Sequence, residues 1–368
     1  QGAIHGNAIS DIWVWAREQS DRSGFWGSVL FRPDVIAEIG KTSLDLNRLS
    51  YEVKAVADEP SKIALLYSDY SRLYNEEWKY NTTKLYSAYE TLLFGGLKPG
   101  IVTEKSIERI VTDGNIKVLA LPGVHNISKA ALFTIRDFVV SGGKVIILGT
   151  DGSVERDDQN VEFSGDALAA ANMIRERAVV LDALNDSASK NAFVAAAEDE
   201  VGRLVEVVYA DSGNRVAETE YTYGFSADGD LLINICDYDL DSRDSKDIEI
   251  KVNGKTAGGM TELRSGRTYT DGTVGITPYS PLLIRIDKSE FTLDRDGRII
   301  VPAEDDTAEI CTATIKNSDG NVVFIGQSST PADGRHTISY TLGNFDPNAE
   351  YTVNIGGANG YMYSERIK

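Results

Sequence analysis

Between Lys62 and Thr150 four apolar runs alternate with stretches of helical periodicity, and this rhythm constrains the chain more than any other feature. The runs are Ile63-Ala64-Leu65-Leu66-Tyr67, the shorter Gly100-Ile101-Val102, then Ile116-Lys117-Val118-Leu119-Ala120-Leu121 and Lys144-Val145-Ile146-Ile147-Leu148-Gly149. A strand that is apolar on both faces must be covered on both, so such a sequence folds as a parallel sheet between layers of helices. The clearest helix starts at Ser128, a good N-cap, and places Leu132, Ile135, Phe138 and Val139 on one face before Gly142-Gly143 ends it. The Ala-rich stretch 165–200 reads as further helix, with Met173, Val180, Leu181 and Leu184 as its apolar positions. The predicted unit, residues 60–202, is a flavodoxin-like or amidotransferase-like α/β layer.

The flanks follow other periods. Ala8-Ile9-Ser10-Asp11-Ile12-Trp13-Val14-Trp15-Ala16-Arg17 reads as a buried strand leading into a loop through Gly24 and Gly27. From Pro33, apolar residues Val35, Ile39, Leu46, Leu49, Val53 and Val56 recur at three, four and seven, which predicts one long amphipathic helix stopped by Pro60. A strand and a helix are not a domain, so residues 1–59 need partners from elsewhere. After Arg203 strict alternation takes over, with Asp228-Gly229 and Asn253-Gly254 as turns, predicting an antiparallel β domain over 203–288. Residues 289–368 repeat the pattern around a new core, with a hairpin at Asp319-Gly320-Asn321, and read as an immunoglobulin- or fibronectin-like sandwich.

Charge narrows the partners. With 56 Asp and Glu against 37 Lys and Arg the formal net charge is −19, so phosphate-bearing polymers and anionic membranes are repelled while uncharged polysaccharides are not. No apolar run reaches the roughly 18 residues of a membrane span. The chain opens at Gln1 without an initiator Met or signal peptide, which reads as a mature or trimmed amino terminus. Cys236 and Cys311 are expected as two buried free thiols.

This order of elements resembles the carboxy-terminal portion of glycoside hydrolase family 42 β-galactosidases, over about residues 8–286. Three segments carry the resemblance: the Ile12-Trp13-Val14-Trp15-Ala16-Arg17 strand with its Trp and Arg, the long helix after it, and the Lys62-Ile63-Ala64-Leu65-Leu66-Tyr67 entry to the α/β layer with Phe138-Val139-Val140-Ser141-Gly142-Gly143 later. It implies the last strand and helix of a (β/α)8 barrel, an amidotransferase-like trimerisation domain and a small antiparallel β domain. It also implies retaining hydrolysis of β-galactosides by two glutamates on earlier barrel strands. No residue here matches either glutamate. The chain is therefore expected to supply assembly and accessory domains of a secreted or cell-surface bacterial enzyme, as a possible homotrimer. The alternative is a non-catalytic carbohydrate-binding or scaffold protein with a degenerate hydrolase architecture.

Candidate sites are few. Trp13 and Trp15 lie two apart and face the same side of a strand; at the carboxyl end of a barrel strand they would line the site and stack on a sugar, and otherwise fill the barrel core. Arg17 follows, placed either to bind sugar hydroxyls or to form a surface ion pair. Amidotransferase chemistry needs a Cys on a strand-to-helix elbow beside a His, and no Cys precedes Cys236, so His125 reads as a loop residue and the α/β layer as structural. No phosphate loop or cofactor motif is present, and no cofactor is expected. Asp237, Asp239, Asp241, Asp244 and Asp247 offer oxygens for calcium but lack the Gly of an EF-hand loop, Ser242 standing there, and read as a solvated loop.

Overall fold

The computed structural model describes residues 2–7, 33–74, 80–149, 154–242, 244–278, 280–287, 296–302, 310–328, 335–346, 349, 351–357 and 362–367. Two helices come first, α1 (Pro33–Arg48) and α2 (Ser50–Asp58). The single helix expected over this range is broken at Leu49, whose φ of −107° and ψ of 25° depart from helical values. The apolar stripe runs unbroken through both pieces, which is why the sequence hides the break. Leu49 and Val56 are buried, whereas no residue of α1 is.

The α/β layer comprises β1 (Ile63–Tyr67), α3 (Asp69–Tyr74), α4 (Tyr80–Phe94), β2 (Pro99–Thr103), α5 (Arg109–Thr112), β3 (Val118–Pro122), α6 (Lys129–Val140), β4 (Lys144–Leu148), α7 (Gly165–Arg177), β5 (Val179–Leu181) and α8 (Ser187–Val201). Its five strands are parallel in the order β2-β1-β3-β4-β5. Alternate strand residues serve the two faces. Ala64, Leu66, Leu119, Leu121 and Ile147 pack with α5, α6 and α7, while Ile63, Leu65, Val118, Ala120 and Ile146 pack with α4 and α8. Ser128 caps α6 by accepting from the Ala131 N–H at 3.3 Å, and Leu132, Ile135 and Phe138 below it are buried, each contributing about 1.5–3 kcal/mol. One element differs from expectation: Val179-Val180-Leu181 is an edge strand beside β4, not part of a helix. An Asp186 capping box then restarts the helix as α8.

Next come β6 (Val205–Tyr209), β7 (Thr219–Phe225), β8 (Leu231–Asp237), β9 (Lys246–Val252), β10 (Lys255–Thr256), β11 (Met260–Glu262), β12 (Arg267–Tyr269), β13 (Thr273–Ile276) and β14 (Leu282–Ile286). They form two antiparallel sheets, β10-β9-β13 with β6 beside β9, and β12-β11-β14-β8-β7, packed through one apolar core. Asn253 and Gly254 both have positive φ and close the two-residue hairpin between β9 and β10. All seven residues of β8 are buried because the strand is covered twice. Leu231, Ile233 and Ile235 face the sandwich core, and Leu232 faces Leu49 and Val56 of the helix pair.

The last strands are β15 (Asp296–Pro302), β16 (Cys311–Lys316), β17 (Val322–Ser328), β18 (Arg335–Thr341), β19 (Tyr351–Gly357) and β20 (Met362–Ile367). They make a β15-β18 pair and a β17-β16-β19-β20 sheet around a separate core of Ile299, Cys311, Ala313, Ile315, Ile338 and Val353. The fold is thus a parallel α/β sheet followed by antiparallel sheets, as the sequence predicts. Cys236 and Cys311 are both free and buried.

Candidate functional site

In an open parallel sheet, ligands settle outside the carboxyl ends of the strands where the order reverses. Here that point lies between β1 and β3, and three segments meet there: Ser68 with the start of α3 up to Ser71, Glu104 after β2, and Gly123 to Ser128 after β3. Ser71 Oγ donates to the Asn126 carbonyl at 2.8 Å and accepts from the backbone N–H groups of His125 and Asn126, both at 3.0 Å. Ser68 Oγ lies 2.7 Å from Glu104 Oε1 and 2.8 Å from the Asn126 carbonyl, and accepts from the Ser71 N–H. Glu104 Oε2 receives the Ser128 N–H at 2.9 Å, which sets a carboxyl group against the first turn of α6.

A hydroxyl beside a carboxylate has the parts of an activated nucleophile. Burial pushes the Glu104 carboxyl up, with the bonds from Ser128 and Ser68 opposing it. Ser68, however, is wholly buried, and its oxygen is committed to the loops around it. The crevice is also roofed. Val154 N–H donates to the Val124 carbonyl, Ile127 N–H to the Arg156 carbonyl, and Asn126 Nδ2 to both the Asp157 carbonyl (3.2 Å) and Asn160 Oδ1 (3.0 Å). Asp157 holds that roof in shape by accepting from the N–H groups of Val161 and Gln159; these bonds, with Lys129 3.3 Å away, keep its carboxyl low. The switch point is a closed polar knot that joins loops.

A second cluster of ionisable groups lies where α4 meets β7 and β8. Glu220 is 1% exposed; its Oε1 is 2.8 Å from His5 Nε2, and its Oε2 accepts from Tyr238 Oη at 3.0 Å. Cys236 is near, and burial with the negative field of Glu220 pushes its thiol up to about 11. A nucleophilic thiol needs the opposite shift. The acidic run is similarly occupied: Lys246 Nζ lies 2.9 Å from Asp237 and 3.2 Å from Asp239, so an ammonium stands among the oxygens. Among the described residues no group of three or more His, Cys, Asp or Glu is arranged to hold a metal ion.

The seam between the α/β layer and the first sandwich is equally built. Lys98 Nζ donates to the carbonyls of Val56, Ala57 and Glu59 at 2.7–2.9 Å, closing the end of α2. Arg203 reaches both oxygens of Glu198 and Tyr221 Oη, and the Tyr221 ring lies where a Cβ on Gly96 would sit. At the other end Arg48 donates to the carbonyls of Leu263 and Arg264, and Arg264 to Asp45.

Trp13, Trp15 and Arg17, the residues the sequence singles out for sugar binding, lie outside the described residues. His125 falls in the β3–α6 loop, as expected, with its backbone N–H on Ser71. Sequence reasoning misses Ser68, Ser71, Glu104, Asn126 and Glu220, whose partners are mostly distant along the chain. It misses Lys246 too, whose signal is its place inside the acidic run.

No family model and no curated protein matches the chain. Solved structures do. An exo-carrageenase of family GH42 from Bacteroides ovatus superposes with a TM-score of 0.62 at 18% identity, over 77% of this chain and 37% of its own. A catalytic mutant of a GH42 β-galactosidase from G. stearothermophilus gives a TM-score of 0.50 at 13% identity, over 73% of this chain and 45% of its own. The likeness is one of fold, and this chain spans less than half the length of either protein.

Proposed function

We propose that this chain is the carboxy-terminal, non-catalytic portion of a β-galactosidase-like, retaining glycoside hydrolase. The observation that carries the reading is the GH42-like succession of a parallel sheet and antiparallel sheets, matched over 77% of the chain and only 37% of the larger protein. The closed switch point supports a structural role for the α/β layer. In this reading residues 1–59 end a (β/α)8 barrel, 60–202 form a trimerisation domain, and 203–288 and 289–368 are accessory β domains. The two catalytic glutamates belong to the barrel portion outside this chain, and Trp13, Trp15 and Arg17 border its sugar site. The parent protein is a secreted or cell-surface bacterial enzyme acting on a β-galactoside or related glycan.

The alternative is a carbohydrate-binding scaffold without turnover, favoured by the closure of the switch point around Ser68 and Glu104. The test is hydrolysis of an aryl β-galactoside by this chain and by native polypeptide extended upstream, with intact mass and amino-terminal sequencing of both. The expected result is no turnover by the chain alone and hydrolysis with retained anomeric configuration by the longer species. Turnover by the chain alone, or none by the longer species, overturns the proposal.

A further inference from the structure

Three strands of the terminal four-stranded sheet, β17, β16 and β19, present an outer face with few charges. Cys311, Ala313, Ile315, Val353 and Ile355 point into the terminal core, so the alternate residues point outward. Pairing sets these outward residues in rows: Ile325 beside Thr314 beside Asn354, Gln327 beside Thr312, and Lys316 beside Thr352. Gln327 Nε2 donates to Thr312 Oγ1 at 3.1 Å, tying two strands together across the face. Ile325 is 64% exposed and Val323, two residues earlier, 38%. No carboxylate stands among these eight positions, in a chain with 56 Asp and Glu.

We propose that this face binds a neutral polysaccharide. Threonine hydroxyls and the amides of Asn354 and Gln327 both donate and accept, matching sugar hydroxyls that do the same. The strands lie about 4.8 Å apart, so the polar groups form a flat array over which an extended glycan can run. Ile325 and Val323 offer aliphatic cover for the C–H face of a pyranose ring. A protein partner would find no aromatic anchor at these positions. The inference deepens the carbohydrate reading above and rests on it for the class of ligand, but it places the glycan away from any catalytic centre.

The experiment is native electrophoresis of the full chain through gels containing a neutral galactan, with sulfated galactan in parallel gels. Ile325→Glu and Thr314→Glu alter the face, and Val140→Glu, at an exposed position of α6, is the control. Ile325 and Val140 are exposed and Thr314 is half-buried, and circular dichroism verifies that each variant folds. Retardation by neutral galactan in wild type and Val140→Glu, reduced at least five-fold in Ile325→Glu and Thr314→Glu, supports the proposal. No retardation of wild type, retardation by sulfated galactan alone, or retardation unchanged in both face variants overturns it. Hydrolysis by the longer polypeptide without face-dependent retardation sinks this inference only; face-dependent retardation without hydrolysis sinks the enzymatic reading only.

Discussion

At Gly224 the first sandwich comes close to the backbone of the helix pair, and replacing it with alanine tests how rigid that contact is. A Cβ there would lie 2.3 Å from the Ala55 carbonyl oxygen and 2.8 Å from the Ala55 carbonyl carbon and Val56 Cα. These are backbone atoms of α2, so no side-chain rotation relieves the clash. The helix has to retreat by about 1 Å, enough to forfeit a quarter to a half of the dispersion contact across the interface. Leu49 and Val56 would then lose their fit against Leu232 and Leu283. Overpacking of this kind costs about 2–3 kcal/mol. A chain with several cores has no single unfolding free energy, so the assay is amide hydrogen exchange resolved along the sequence. Protection in 50–58 and 231–237 is expected to fall about 30- to 150-fold in Gly224→Ala, while β1, β3 and β4 keep theirs. Protection within about two-fold of wild type in α2 and β8, or an equal loss in the parallel sheet, would refute the reasoning. Gly40, in α1 with open space around its Cα, is the control: Gly40→Ala should stabilise its helix by about 1 kcal/mol.

Three further expectations follow from the seam and the buried groups. Lys98→Met leaves the Val56, Ala57 and Glu59 carbonyls without their shared donor, at a cost of about 1.5–3 kcal/mol read as faster exchange at the end of α2. The bond from Arg203, opposed by burial, lowers the Glu198 carboxyl, so its stabilisation is full above the ordinary carboxylate range and is lost as pH falls through the lowered folded value. Glu198→Gln should therefore flatten the acid limb of the pH profile of amide protection in residues 187–201, and a limb as steep as wild type would count against the Arg203 clamp. With its thiol pushed up to about 11, Cys236 should resist alkylation at pH 8 in the folded chain, while both thiols react in denaturant. Rapid native labelling at Cys236 would contradict the burial described.

The parallel sheet was legible because β1, β3 and β4 are apolar on both faces and no other environment accepts such runs. Val179-Val180-Leu181 was not, since three apolar residues between two Ala-rich helices fit a helical stripe as well as an edge strand. The break at Leu49 leaves no trace in a stripe that α1 and α2 share. Turn chemistry was readable at Gly254 and Gly320, where Gly supplies the positive φ beside an Asn or Asp. The absence of an amidotransferase cysteine could be read directly. Closure of the switch point could not, because Ser68, Glu104, Asn126 and Asp157 come from four separate loops and have no common motif.

The contacts of α1 and α2 bear on how such a protein can be rearranged in evolution or in the laboratory. Arg48 bonds to residues 215 and 216 positions further along the chain, and Ala55 meets Gly224, so the helix pair and the first sandwich form one mechanical unit with the α/β layer inserted between its parts. A recombination point between residue 58 and β1 would separate halves of the same joint, and a chimera made there would inherit a helix shaped for a strand it no longer has. Exchange that respects the joint must carry residues 33–58 and 203–287 together, and an α/β layer swapped into it must bring counterparts of Lys98 and Gly96, which meet the end of α2 and the Tyr221 ring.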